Sequence, residues 1–220
     1  MLEDLKQEVL ACAQQADRSG LCRHRSGNFS IRDGKSGLIC ITPTGADREE
    51  MTAADIVVVD SQARVVESKT GLRPTSETLM HLAVYNSRPE IMAIAHTHSR
   101  FATSFAILNK KIPAIVYEIF MLGCRDGYVP VAPYGRPGTK ALAESVLKPL
   151  MIADVALMQA HGAIAIDKSS LKEALLKASY LEELAEMYYH TLLVGGQEPP
   201  QVPAEELKKW AYPAEITLKQ

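Results

Sequence analysis

The sequence predicts an α/β protein, a single layered αβα domain built on a largely antiparallel central sheet. Strand-like runs outnumber those of a regular βαβ alternation, and two pairs of them are joined by hairpin-type connections, Asp33-Gly34-Lys35-Ser36-Gly37 and Asp60-Ser61-Gln62. Other segments carry helical spacing of apolar residues, which calls for helices layered on the sheet. The 220 residues, 47% of them hydrophobic, suffice for one well-buried domain over 1–220, with 204–220 expected as a C-terminal tail.

Leu2, Leu5, Val9 and Leu10 mark one face of an opening helix that Gly20 is placed to terminate. A polar loop, Arg23-His24-Arg25-Ser26-Gly27, runs into the strand around Asn28 to Ile31, and the first hairpin returns through Leu38 to Thr42. Ile56 to Val59 and Ala63 to Val66 form the second pair. Leu79, Leu82 and Ala83 give helical spacing, with Thr75 or Ser76 as the expected N-cap. An apolar strand ending near His98 precedes a helix over about Arg100 to Leu108. The Gly- and Pro-rich stretch from Gly123 to Gly138 reads as an irregular connection with short strands, and Thr139 opens another helix. A strand from Val155 is expected to run on through His161 and Gly162 to Ile166. Ser170 with Glu173 is a capping-box signature for the longest helix, whose face carries Leu175, Ala178, Leu181, Ala185 and Leu192, and Gly195-Gly196 ends it.

The chemistry centres on Ile94-Ala95-His96-Thr97-His98-Ser99. Alternate residues of a strand share a face at a step of about 6.5 Å, so His96 and His98 converge while Thr97 points away. Zinc takes imidazole nitrogens at about 2.0 to 2.1 Å and usually four ligands. Of the remaining histidines, only His161 also closes an apolar run, Val155 to Ala160; His81 and His190 lie in helical patterns and read as packed or surface residues. His24, in a basic loop, stays open.

Three loops suit a phosphate: Ser26-Gly27-Asn28, Thr44-Gly45 and Thr75-Ser76. Each combines a hydroxyl or amide with an accessible backbone N–H, and the third precedes a helix N-terminus. Glu77 follows directly. It reads either as a favourable first-turn acid or, beside a metal, as a ligand or proton-transfer group.

Taken together, Ser26-Gly27-Asn28-Phe29-Ser30, Thr42-Pro43-Thr44-Gly45, Pro74-Thr75-Ser76-Glu77, His96-Thr97-His98 and Ala160-His161-Gly162 follow the order and approximate spacing of the class II aldolase/adducin family. The chain resembles that family from its first helix to its tail. The resemblance implies the class II aldolase fold and zinc-dependent cleavage of a ketose 1-phosphate, L-fuculose 1-phosphate or a related deoxyketose 1-phosphate, to dihydroxyacetone phosphate and a small aldehyde. By matching position it implies His96, His98 and His161 as ligands of one Zn2+ per subunit, and Glu77 as an acid/base that also ligates zinc before substrate arrives. Asn28, Thr44, Gly45, Thr75 and Ser76 match phosphate-binding positions, and Tyr117 matches a tyrosine that protonates the departing aldehyde oxygen. Tyr212 matches a C-terminal tyrosine reaching a neighbour's site, since resembling members are homotetramers with active sites at subunit interfaces.

Two alternatives share these motifs. Epimerases of the L-ribulose-5-phosphate 4-epimerase type carry Asp where this chain has Glu77 and a further Asp after the tyrosine; Glu118-Ile119-Phe120-Met121-Leu122 contains none. Adducin-like interaction modules have lost metal ligands that this chain retains. Departures from the aldolase pattern, namely Arg23-His24-Arg25, Pro137 and a longer Gly123 to Tyr128 stretch, bear on the aldehyde half of the substrate. A net charge of −2 without a basic run excludes electrostatic nucleic-acid binding. No signal peptide or membrane span is evident, so a cytoplasmic location is expected. Cys12, Cys22, Cys40 and Cys124 lack a CxxC spacing and read as reduced thiols without a function.

Overall fold

The computed structural model describes residues 1–207 and 209. The expected tail therefore lies largely outside the described residues, Tyr212 included. The strands are β1 (Asn28–Arg32), β2 (Ile39–Ile41), β3 (Val57–Val59), β4 (Val65–Glu67), β5 (Ala93–Thr97), β6 (Ile112–Pro113), β7 (Tyr128–Val129), β8 (Val131–Ala132), β9 (Val155–Met158) and β10 (Gly162–Asp167). The helices are α1 (Glu3–Arg18), α2 (Thr78–Ser87), α3 (Arg100–Ile107), α4 (Lys140–Ser145), α5 (Leu171–Gly195) and the short α6 (Ala204–Leu207).

Eight strands form one sheet in the order β4-β3-β2-β1-β5-β10-β9-β8, and β6 pairs separately with β7. Within the large sheet only β8 and β9 run parallel. Every other neighbour is antiparallel, as the hairpin signals require.

The strands are buried on both faces, and their alternation sorts the core into layers. Ile94, Ile164, Ile166, Ala156 and Met158 meet Met80, Leu82 and Val84 of α2 and Leu142 and Ala143 of α4. Val155, Leu157, Ala163 and Ala165 face the other way, onto Ala102 and Phe105 of α3 and Ala178, Leu181 and Ala185 of α5. Towards β1 and β2 that second face is completed by Val9, Ala13 and Ala16 of α1. The result is the expected αβα arrangement.

Two local expectations need correction. The cap of α2 is Glu77, not Thr75 or Ser76, and Glu77 makes no side-chain cap bond; its carboxylate turns inward instead, as described below. The run from Val155 to Ile166 is not one strand but a hairpin. Gly162 pairs with Met158 across the turn Gln159-Ala160-His161, and Ala160 adopts φ of 54° there. A three-residue loop with a left-handed residue is a common hairpin solution, but alanine at that residue disguises it. The helix expected over about Arg100 to Leu108 is α3, with Leu108 as its C-cap.

Candidate active site

His96 belongs to β5, and its cross-strand partners are Asn28 of β1 and Ile164 of β10. It shares the α2 face with Ile94, two residues back. His98 lies just beyond the strand end on the same side, while Thr97 between them is buried in the opposite direction. The β9–β10 turn delivers His161 beside them.

Gly162 makes this approach possible. A Cβ there would stand 2.4 Å from the Thr97 carbonyl oxygen, 3.2 Å from the His98 ring and 3.3 Å from the His96 ring. Gly27 serves the other side of β5: a Cβ at its φ of 71° would meet Cys22 Sγ at 2.3 Å and the His96 carbonyl at 2.7 Å.

The three ring centroids lie 4.8, 4.8 and 5.0 Å apart. His96 Nδ1 donates to the Ala163 carbonyl at 2.8 Å, which leaves Nε2 with its lone pair. That Nε2 is 3.0 Å from His98 Nε2 and 3.0 Å from Glu77 Oε2, and His161 Nε2 is 3.2 Å from Glu77 Oε1. A tetrahedral zinc site with ordinary bond lengths sets its ligand atoms about 3.3 Å apart, so the spacing fits. Glu77 Oε1 is buried and makes no hydrogen bond, although it lies close to His161. Converging lone pairs and an orphaned carboxylate oxygen are what a bound cation would satisfy. The three histidines and Glu77 thus fit a divalent metal.

Electrostatics agree. Burial, reinforced by the neighbouring His96, pushes His98 down to about 3 and His161 to about 4, so both rings are neutral and ligand-ready. Burial alone would raise the Glu77 carboxyl. Its neighbours His96 and His161 and the Asn28 amide outweigh that and hold it far below the ordinary carboxylate range. For His96, burial opposes the charge while Glu77 favours it, and the net direction is upward.

Above the cluster opens a cavity of about 280 Å³, walled by Ser26, Gly27, Asn28, Thr44, Gly45, Thr75, Ser76, Glu77, His98 and His161. All three phosphate-type loops therefore meet at the histidines. Their backbone offers less than the sequence suggests, because Thr44 N donates to Arg73 O and Thr75 N to Thr42 O. At these two positions the hydroxyls remain for an anion. Pro137 also reaches the cavity wall.

Tyr117 does not join this cavity in its own chain. It begins the 3-10 turn Tyr117–Leu122 and lines a separate groove against Tyr180 and Met187 of α5. Arg25 is exposed and reaches Gly45 O and Asp47 Oδ2, each at 3.4 Å.

Sequence reasoning missed two residues. Arg48, which stands in the charged stretch Asp47-Arg48-Glu49-Glu50, is buried at the cavity wall and donates from Nη2 to Gly27 O at 2.7 Å. No carboxylate among the described residues pairs with it, and its Nε has no partner. The second is His81, fully buried beneath Asn28. No signal in a single sequence distinguishes it from a helix-surface histidine.

The chain belongs to the class II aldolase and adducin family: the Class II Aldolase and Adducin N-terminal domain matches residues 7–189. The curated relatives named below are aldolases, and with them the chain falls among the aldehyde-lyases. It is 33% identical over 211 residues to 5-deoxy-D-ribulose 1-phosphate aldolase of Bacillus thuringiensis serovar kurstaki, covering 96% of this chain and 95% of that protein. It is 36% identical over 195 residues to L-fuculose phosphate aldolase of Escherichia coli K12, covering 89% and 87%. A solved L-fuculose 1-phosphate aldolase superposes with a TM-score of 0.86 at 35% identity, covering 93% of each chain.

Proposed function

We propose that this protein cleaves a ketose 1-phosphate to dihydroxyacetone phosphate and a small aldehyde, with one zinc ion held by His96, His98 and His161 and by Glu77 before substrate arrives. The observation that carries this reading is the meeting of three imidazoles and one carboxylate beneath a cavity walled by three hydroxyl- and amide-bearing loops. A divalent ion there supplies a Lewis acid for the charge that develops as the carbon–carbon bond breaks.

The chain's own residues do the rest. Asn28, Thr44, Gly45, Thr75 and Ser76 bind the phosphate, away from the reacting carbons, and so orient the substrate. Arg48, a cation beneath the Gly27 carbonyl with no carboxylate paired to it among the described residues, supplies the balancing charge that the net charge of −2 does not. Glu77 holds or moves a proton at its oxygens, which the surroundings keep ionised. Tyr117, distant from its own cavity, and Tyr212 serve a neighbouring subunit's site in a homotetramer. Glu77 in place of Asp favours cleavage over epimerisation, and the retained ligands disfavour a purely structural role. The protein acts in the cytoplasm as one domain spanning 1–220, with 204–220 as its tail. Among the described residues no helix is long and apolar enough to cross a membrane.

The test is a panel of ketose 1-phosphates, including the fuculose, 5-deoxyribulose and 5-methylthioribulose esters, assayed for dihydroxyacetone phosphate release. Release from at least one ester, lost in Glu77→Gln, is expected. No release from any ester by zinc-loaded enzyme contradicts the reading.

A further inference from the structure

Behind Glu77 runs a chain of buried polar groups that starts at the cavity wall with Asn28 and leads inward, away from the histidine ligands. Asn28 Nδ2 donates to Glu77 Oε2 at 2.9 Å, and Asn28 Oδ1 lies 2.6 Å from His81 Nε2. His81 Nδ1 lies 2.7 Å from Ser30 Oγ, and Ser30 Oγ lies 2.8 Å from Tyr85 OH. Ser30, His81 and Tyr85 are all buried, in β1 and α2.

The hydrogens can be assigned by elimination. An ionised Glu77 accepts only, so the Asn28 group facing it must be the NH2, and the carbonyl Oδ1 must face His81. His81 Nε2 then carries the hydrogen and donates. Burial, with His96 adding to it, holds the ring neutral, its pKa down to about 3, so Nδ1 is an acceptor. Ser30 must give Nδ1 its one hydrogen, and Tyr85 must donate to Ser30. Every group is satisfied in one polarity only, from Tyr85 to Glu77.

From this geometry we infer that His81 is a positioning residue of the active site: by donating from Nε2 to Asn28 Oδ1 it fixes that amide with its NH2 on Glu77 Oε2. The consequence is a carboxylate with two unlike oxygens. Both oxygens face a histidine, Oε2 at 3.0 Å from His96 Nε2 and Oε1 at 3.2 Å from His161 Nε2, but only Oε2 also accepts from the amide, whereas Oε1 makes no hydrogen bond. Glu77 and His81 are four residues apart, hence on one face of α2, and they grip Asn28 between them. Without the His81 donor the amide is free to rotate, and its carbonyl would repel Glu77. This role rests on the function proposed above for Glu77.

Two measurements on the zinc-loaded enzyme test it. Nitrogen NMR of the 15N-labelled histidine rings, assigned by comparison with His81→Gln, should show His81 as the neutral Nε2–H tautomer; the Nδ1–H tautomer or a protonated ring overturns the inference. In steady-state kinetics on the best ketose 1-phosphate, His81→Phe should lower kcat about 10- to 100-fold, as lost support of a metal-site group does. The KM should change less than kcat. His81→Gln, whose amide NH2 can replace the Nε2 donor, should keep kcat within about threefold of the parent. Parental kcat in folded His81→Phe, or a folded His81→Gln that loses tenfold or more, overturns the inference. If His81→Phe does not fold, the tautomer and His81→Gln decide. Failure of the parent enzyme to release any dihydroxyacetone phosphate would instead defeat the proposed function, and the tautomer is read without substrate.

Discussion

At the scale of single residues, the proposed function divides chemistry and binding between Glu77 and Arg48. Glu77→Gln keeps the histidines and the Asn28 contact but cannot take up a proton, so kcat should fall about 100-fold or more with zinc still bound. Metal content and initial rates on the same sample check this. Arg48→Met removes a buried cation from the phosphate wall while retaining most of its bulk, so KM for the phosphorylated ketose should rise about tenfold or more, a loss of charge-assisted contacts worth roughly 1.5 to 3 kcal/mol. An unchanged KM would confine Arg48 to bracing the Gly27 carbonyl. These two residues also differ in how legible they are. Glu77 sits next to Thr75-Ser76 and is visible as a candidate, whereas Arg48 stands among Asp47, Glu49 and Glu50 and looks solvated until the fold turns it inward.

At the scale of elements, the β9–β10 hairpin and the α5 helix carry the site's geometry. Gly162→Ala would place a methyl group 2.4 Å from the Thr97 carbonyl, a backbone atom that cannot move without shifting β5. The cost should be about 2 kcal/mol or more, with weakened metal retention, readable by denaturant titration and metal analysis. Lys177 of α5 clamps this layer from below, bonding Asp154 and Asp167 at 2.8 Å each. Burial pushes the Asp167 carboxyl up, but Lys177 and Ser169 outweigh it and its pKa is lowered. A lowered folded-state pKa stabilises above the unfolded value of about 3.9 and loses that contribution as pH falls further. Lys177→Met should therefore destabilise by about 1 to 2 kcal/mol at neutral pH, and the difference should shrink as pH drops below about 4. The pairings of β1 with β2 and of β3 with β4 and the order of the helices were legible because turn residues and caps such as Ser170 are local signals, whereas the pairings that set β5 between β1 and β10 join distant segments and were not. The turn at Ala160 was not, because nothing in an Ala-His-Gly triplet announces a left-handed alanine held by tertiary contacts.

At the scale of the whole molecule, the cavity in one chain is walled by His98, His161, Glu77 and the phosphate loops, but not by Tyr117. Periodicity and motif order can reveal what shares a cavity within a chain, yet they carry no information on what a second chain brings. A homotetramer with shared sites predicts that Glu77→Gln subunits mixed with Tyr117→Phe subunits regain activity above either parent, since some interfaces pair an intact Glu77 with an intact Tyr117. No recovery despite verified subunit exchange would place Tyr117 outside the reaction. The central claim is metal-dependent cleavage, and it is met most directly by stripping the protein with a chelator and titrating zinc back while following dihydroxyacetone phosphate release. Activity should be lost on stripping and return in proportion to added zinc, saturating at about one ion per chain; full activity in the demonstrably metal-free protein would contradict the account.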